Sequence, residues 1–121
     1  MTADKVWIVD DDRSIRWVLE KALMQEGLEA TAFEDAQTLL NKLGKEKPHA
    51  IVTDIRMPGI DGLTLLAKIR LEHPDVPVIV MTAHSDLDSA VSSYQGGAFE
   101  YLPKPFDVDD AINLVKRAIA H

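Results

Sequence analysis

Six side chains in this sequence have the types and spacing to do chemistry together: Asp10, Asp11 and Asp12 in one run, then Asp54, Thr82 and Lys104, each close behind an apolar stretch. Carboxylates drawn together repel one another unless a cation neutralises them. Oxygen donors that are few in number, with waters retained, favour Mg²⁺ or Mn²⁺ over zinc. Lys104 adds a mobile point charge and Thr82 a hydroxyl donor. An acid, a divalent metal, a lysine and a hydroxyl make a site for an anion that bonds to the acid, and a phosphoryl group is the natural candidate. Attack by the Asp54 carboxylate on phosphorus would give an acyl phosphate. The metal and Lys104 would then offset charge on the equatorial oxygens. The sequence holds neither a Walker loop nor a dinucleotide fingerprint, so a bound nucleotide is not expected as the phosphate source.

These residues can meet only if the chain brings their segments to one place. Val6–Val9 is a short apolar run, followed by Ile15, Val18, Leu19, Ala22 and Leu23 at helical spacing, with Gly27 as the stop. Glu29–Phe33 is a more polar strand suited to a sheet edge. Asp35 can cap a helix through Leu39, Leu40 and Leu43, which Gly44 and Pro48 end. Ala50–Asp54 is a buried strand that delivers Asp54 to a Pro58-Gly59 turn, and Leu63, Leu66, Ala67 and Ile69 continue as a helix to His73-Pro74. Val76–Met81 reads as a fourth strand, Leu87 to Tyr94 as a fourth helix ended by Gly96-Gly97, and Ala98–Leu102 as a fifth strand. Asp107 then caps a last helix along Ile112, Val115 and Ile119.

Alternating strands and helices predict an α/β fold, a flavodoxin-like (βα)5 unit with a five-stranded parallel sheet and helices on both faces. Its expected strand order is 2-1-3-4-5. The first and third strands are then neighbours, and their C-terminal ends put Asp10-Asp11-Asp12 opposite Asp54.

Composition narrows the function. The 121 residues suit one domain spanning 1–121, and a hydrophobic share of 46% supports a packed core. A net charge of −7 argues against nucleic-acid binding, whose affinity comes from phosphate neutralisation. Without cysteine there is no disulfide framework and no thiolate metal site. His49, His73, His84 and His121 lack ligand spacing. No apolar stretch reaches membrane-spanning length and no signal-peptide segment opens the chain, so a cytoplasmic location is expected.

Four motifs in register carry a family resemblance: Val9-Asp-Asp-Asp12, Asp54-Ile-Arg-Met-Pro-Gly59, Met81-Thr-Ala-His84 and Lys104-Pro105. The sequence resembles a response-regulator receiver domain of two-component signalling over essentially its whole length. Longer stretches are similar to the nitrogen regulatory protein C branch of that family. They are Ser14-Ile-Arg-Trp-Val-Leu19, Thr82-Ala-His-Ser-Asp-Leu-Asp88 and Ala98-Phe-Glu-Tyr-Leu-Pro-Lys-Pro-Phe-Asp107. The resemblance implies that Asp54 accepts phosphate from a phosphohistidine of a sensor histidine kinase. It makes Asp11 the direct metal ligand, with Asp10 and Asp12 holding metal-bound water and the backbone carbonyl of Arg56 completing the set. Thr82 and Lys104 would contact the phosphoryl group, Lys104-Pro105 would be a cis peptide, and Tyr101 would be the aromatic that moves with Thr82. The output it implies is sigma-54-dependent transcription of nitrogen genes, driven by domains outside this chain.

Phosphorylation would act by adding charge and acceptor oxygens at one sheet edge. The segment from His84 to Gly97 lies between Thr82 and Tyr101 and is the expected bistable element. Gly96-Gly97 departs from the single glycine usual in the family and would loosen that helix end. The face formed by the fourth helix, the fifth strand and the last helix is the expected contact for an effector domain or a phosphorylation-dependent homodimer. Taken singly, the same residues have plainer uses: an Asp10–Asp12 cap, a solvated Lys104, a half-buried Tyr101, packing or surface roles for Trp7 and Trp17. One rival chemistry is a haloacid-dehalogenase-type phosphatase using Asp10 as nucleophile and Asp12 as acid, which leaves the Asp54 loop unexplained. Another is a binding module that needs no phosphorylation, against which stands the complete acidic site.

Overall fold

The computed structural model describes residues 3–83, 88, 91, 92 and 95–121. Strands β1 (Lys5–Val9), β2 (Glu29–Phe33), β3 (Ala50–Asp54), β4 (Val78–Ala83) and β5 (Glu100–Lys104) form one sheet in the order β2-β1-β3-β4-β5. Every neighbouring pair is parallel. Helices α1 (Arg13–Gln25), α2 (Ala36–Leu43), α3 (Gly62–Glu72) and α4 (Val108–Ala120) complete the described elements. The expected fourth helix through Leu87 and Tyr94 falls largely outside the described residues.

Strand alternation divides the core into two layers. Trp7, Val9, Ile51, Val78 and Val80 pack with Leu39 and Leu43 of α2 and with Leu65, Leu66 and Ile69 of α3. Val6, Ile8, Val52, Ile79 and Met81 face the other way, onto Leu19 and Leu23 of α1 and Ala111, Val115 and Ala118 of α4. A sheet covered on both faces accounts for the continuous apolar runs of β1, β3 and β4. Strand β2, exposed at Glu29 and half-buried through Ala32, is an edge as expected.

All four described helices begin on an aspartate: Asp12, Asp35, Asp61 and Asp107 each accept a backbone N–H of the first turn. Such a cap contributes about 1 kcal/mol. Gly27, at φ 80°, ends α1 in the left-handed region that favours glycine. Gly44, the cap of α2, is right-handed at φ −68°.

Three strands differ in extent from expectation, β1 only by beginning at Lys5, one residue ahead of Val6. Strand β4 starts at Val78, not Val76, because Pro77 has no N–H for the ladder; its carbonyl instead accepts from Ile51 at 3.0 Å. Strand β5 runs over Glu100–Lys104, two residues later than Ala98–Leu102, and contains Pro103. It has a strand on one side only, so a proline can face away from the ladder.

Candidate phosphoryl-transfer site

The C-terminal ends of β1, β3, β4 and β5 converge on one sheet edge. Carboxylate oxygens of Asp10, Asp11 and Asp54 lie within 4.8 Å of one another. Asp10 follows β1 and is fully buried, Asp54 closes β3 at 7% exposure, and Asp11 is exposed. From the end of β5, Lys104 Nζ donates to Asp10 Oδ2 at 2.9 Å and stands 3.4 Å from Asp54 Oδ1. The Lys104-Pro105 bond is cis. Thr82, the next-to-last residue of β4, is buried, and Met81 before it is the register partner of Asp54. An open depression of about 440 Å³ adjoins the acids, lined by Asp11, Arg56, Met57, Pro58, Gly59 and Asp61.

The electrostatics follow from this crowding. Burial raises the pKa of Asp10, and the charge on Asp11 raises it further; the Asp12 amide and Lys104 oppose the shift. Burial also raises Asp54, as does Asp10, against Lys104 and the Ile55 amide. Burial works to lower Lys104, yet its bonds and charge attraction to Asp10 and Asp54 prevail and its pKa is raised. Three carboxylates against one ammonium leave two negative charges, the charge a divalent cation neutralises. An all-oxygen donor set of acids fits a hard dication such as Mg²⁺ or Mn²⁺.

Of the residues expected at the site, Asp10, Asp11, Asp54 and Lys104 are brought together, with Arg56 beside them. Asp12 is engaged differently. Its Oδ1 accepts from Ser14 N–H at 2.8 Å to cap α1, and its own amide donates to Asp10 Oδ1 at 2.8 Å. Tyr101 is half-buried in β5, and His84 to Leu87 lie outside the described residues.

Three supporting residues carry no signal in a search for site chemistry. Gly62 leaves no space for a side chain, since a Cβ there would sit 2.1 Å from the Asp54 carbonyl oxygen; its N–H donates to Ile55 O at 2.8 Å. Thr53 Oγ1 donates to the same Asp54 carbonyl at 2.9 Å. Arg16 Nη1 donates to the Asp10 carbonyl at 2.6 Å. All three bond or crowd backbone carbonyls, which sequence motifs do not display; the Asp61-Gly62 pair at the start of α3 is the one visible hint.

A family model for the response regulator receiver domain matches residues 6–116. The chain belongs to the receiver domain family. Over 116 residues, 96% of its length, this receiver domain is 61% identical to the DNA-binding transcriptional regulator NtrC of Escherichia coli K12. It is 60% identical to the solved receiver domain of nitrogen regulatory protein C, covering 100% of this chain and 98% of that one, with a TM-score of 0.90 for the apo form. With the BeF3-activated form of that domain, at the same identity and coverage, the TM-score is 0.85. The receiver domain spans about a quarter of the length of the curated relatives it matches. Among the described residues no helix is long and apolar enough to cross a membrane.

Proposed function

We propose that this receiver domain accepts a phosphoryl group on Asp54 and, in that state, switches a downstream output. The observation carrying this is the convergence of Asp10, Asp11 and Asp54 within 4.8 Å, with Lys104 between two of them. In the transfer, an Asp54 carboxylate oxygen bonds to phosphorus as the P–N bond of a kinase phosphohistidine breaks. The departing imidazole nitrogen takes up a proton, and Asp54 becomes an acyl phosphate. Lys104 neutralises charge on the incoming phosphoryl oxygens, and the Thr82 hydroxyl donates to one of them. Asp11, Asp10 and Asp54, with the Arg56 carbonyl, would hold Mg²⁺, which when bound draws charge from the transferring group. Asp12 shapes the loop and caps α1. The domain assists its own phosphotransfer and its own hydrolysis, in which water attacks phosphorus and releases inorganic phosphate.

Residues 1–121 act on this account as one receiver domain of an NtrC-like regulator, receiving phosphate from a sensor histidine kinase and controlling sigma-54-dependent transcription of nitrogen genes. The 61% identity to NtrC supports that assignment. The effector or a second copy would dock on the face of β5 and α4, where Glu100, Tyr101, Asp110, Asn113 and Arg117 line a groove. Tyr101 would move with Thr82 as the phosphate arrives.

The test is phosphoprotein mass mapping after acetyl phosphate and Mg²⁺, paired with sizing. Mass added at Asp54, absent in Asp54→Asn, is the expected result, with dimer formation tied to it. Failure to modify Asp54 would leave a phosphorylation-independent module. Modification at Asp10 with Asp54→Asn unaffected would revive the hydrolase. Hydrogen exchange with and without beryllofluoride should change over residues 84–101; no change there removes the switch.

A further inference from the structure

We propose that Arg16 is a positioning residue for the metal-binding loop, acting through the backbone of Asp10. This rests on the acid cluster being a Mg²⁺ site. Arg16 is half-buried in the first turn of α1, and its Nη1 donates to the Asp10 carbonyl at 2.6 Å. The other polar groups of Asp10 are also committed. Its N–H donates to Phe33 O at 3.2 Å, Oδ1 accepts from Asp12 N–H at 2.8 Å, and Oδ2 accepts from Lys104 at 2.9 Å. The sheet thus fixes the amide of Asp10, the loop and Lys104 fix its carboxylate, and Arg16 fixes its carbonyl.

That carbonyl belongs to the peptide from which Asp11 is suspended. A peptide unit is planar, so holding its oxygen holds the plane from which the Asp11 Cα departs. The exposed Asp11 carboxylate is thereby aimed at Asp10 and Asp54 rather than left to swing away from two like charges. Helix polarity supplies a second reason to notice Arg16. The first turn of a helix disfavours a cation, and in α1 only the capping carboxylate of Asp12 offsets it, with no acid inside the turn itself. A carbonyl partner just upstream accounts for the side chain's place. The planar guanidinium suits this contact better than an ammonium, which holds a carbonyl with less directional control.

Calorimetric Mg²⁺ titration of the wild type, Arg16→Gln and Arg16→Lys decides the matter, with thermal unfolding of each in chelator. Arg16→Gln should bind Mg²⁺ about tenfold more weakly, the usual scale for losing an outer partner of a metal ligand. Arg16→Lys should fall between it and the wild type. Melting in chelator should stay near wild type, and saturating Mg²⁺ should restore the rate of modification by acetyl phosphate. A folded Arg16→Gln that binds Mg²⁺ within about twofold of wild type would overturn the role. Should Arg16→Gln fail to fold, Arg16→Lys decides alone: weaker binding with unchanged melting supports positioning, and wild-type binding overturns it. Absence of Mg²⁺ binding in the wild type itself would remove the metal site underneath, a failure told apart by appearing without any substitution.

Discussion

Asp54 is an acid kept where ionisation is unfavourable, and its stability effect has a definite sign. Burial and Asp10 raise its pKa above the ordinary value of 3.8, so the folded state holds the proton more tightly than the unfolded chain. Between those two pKa values stability falls as pH rises. The penalty is absent well below pH 3.8 and grows as pH rises toward the raised folded-state pKa. Asp54→Asn should therefore stabilise the metal-free protein at pH 7 by about 0.5–2 kcal/mol, the scale on which relieving a functional-site penalty acts. Denaturant unfolding at pH 7 and pH 3.5 checks this; the gain should shrink toward zero at the lower pH. Lys104→Ala should act in the opposite direction, because it strands the buried Asp10 carboxylate. A loss on the order of 2 kcal/mol at neutral pH is expected, discounted from a fully buried pair because Lys104 keeps 23% exposure. The acids and the lysine were legible from residue type and their place after apolar runs. Gly62, Thr53 and Arg16 were not, because their work is done on carbonyl oxygens that every residue possesses.

At the scale of elements, loop geometry decides what the acids can do. Asp12 is chemically equal to Asp11 but serves as the cap of α1. Asparagine caps as well as aspartate. Asp12→Asn should keep thermal stability within about 0.5 kcal/mol and weaken Mg²⁺ binding far less than Asp11→Asn, as titration calorimetry would measure. Gly62→Ala sets two effects against each other. Alanine favours a helix by about 1 kcal/mol over glycine. A Cβ placed 2.1 Å from the Asp54 carbonyl oxygen, with the Asp54 carbonyl carbon 2.8 Å away, cannot be accommodated without moving backbone. Steric displacement wins, and unfolding measurements should give a net loss of about 3 kcal/mol together with loss of Asp54 modification. The sequence placed β2 and β3 correctly because Gly27 precedes β2 and Asp35 caps the helix after it, while Pro48 and Pro58-Gly59 flank β3. It misjudged the limits of β4 and β5, where the ladder position of Pro77 and Pro103, rather than hydrophobicity, sets what belongs to the strand.

For the molecule as a whole, the strand order converts sequence separations of up to 94 residues into contact, as between Asp10 and Lys104. Four strand ends meet at one edge because β1 lies between β2 and β3, while β4 and β5 extend the sheet on the far side of β3. The alternating pattern made a parallel sheet with right-handed crossovers legible, and the order itself followed from the flavodoxin-like arrangement that five βα units of this length suit. The consequence is thermodynamic. Cation binding at an edge assembled only in the fold stabilises the entire sheet, because the unfolded chain scatters the ligands. Mg²⁺ at a hundredfold its dissociation constant should add about 2.7 kcal/mol to the wild type. Asp54→Asn, with one carboxylate fewer, should gain much less and so lose its metal-free advantage. Thermal unfolding with and without Mg²⁺ measures both, and NaCl at matched ionic strength separates site binding from screening of the −7 net charge. Equal Mg²⁺ shifts in the two proteins would mean that the cation is neutralising the surface at large, whereas a shift confined to the wild type ties the stability of the fold to the acid it was built to present.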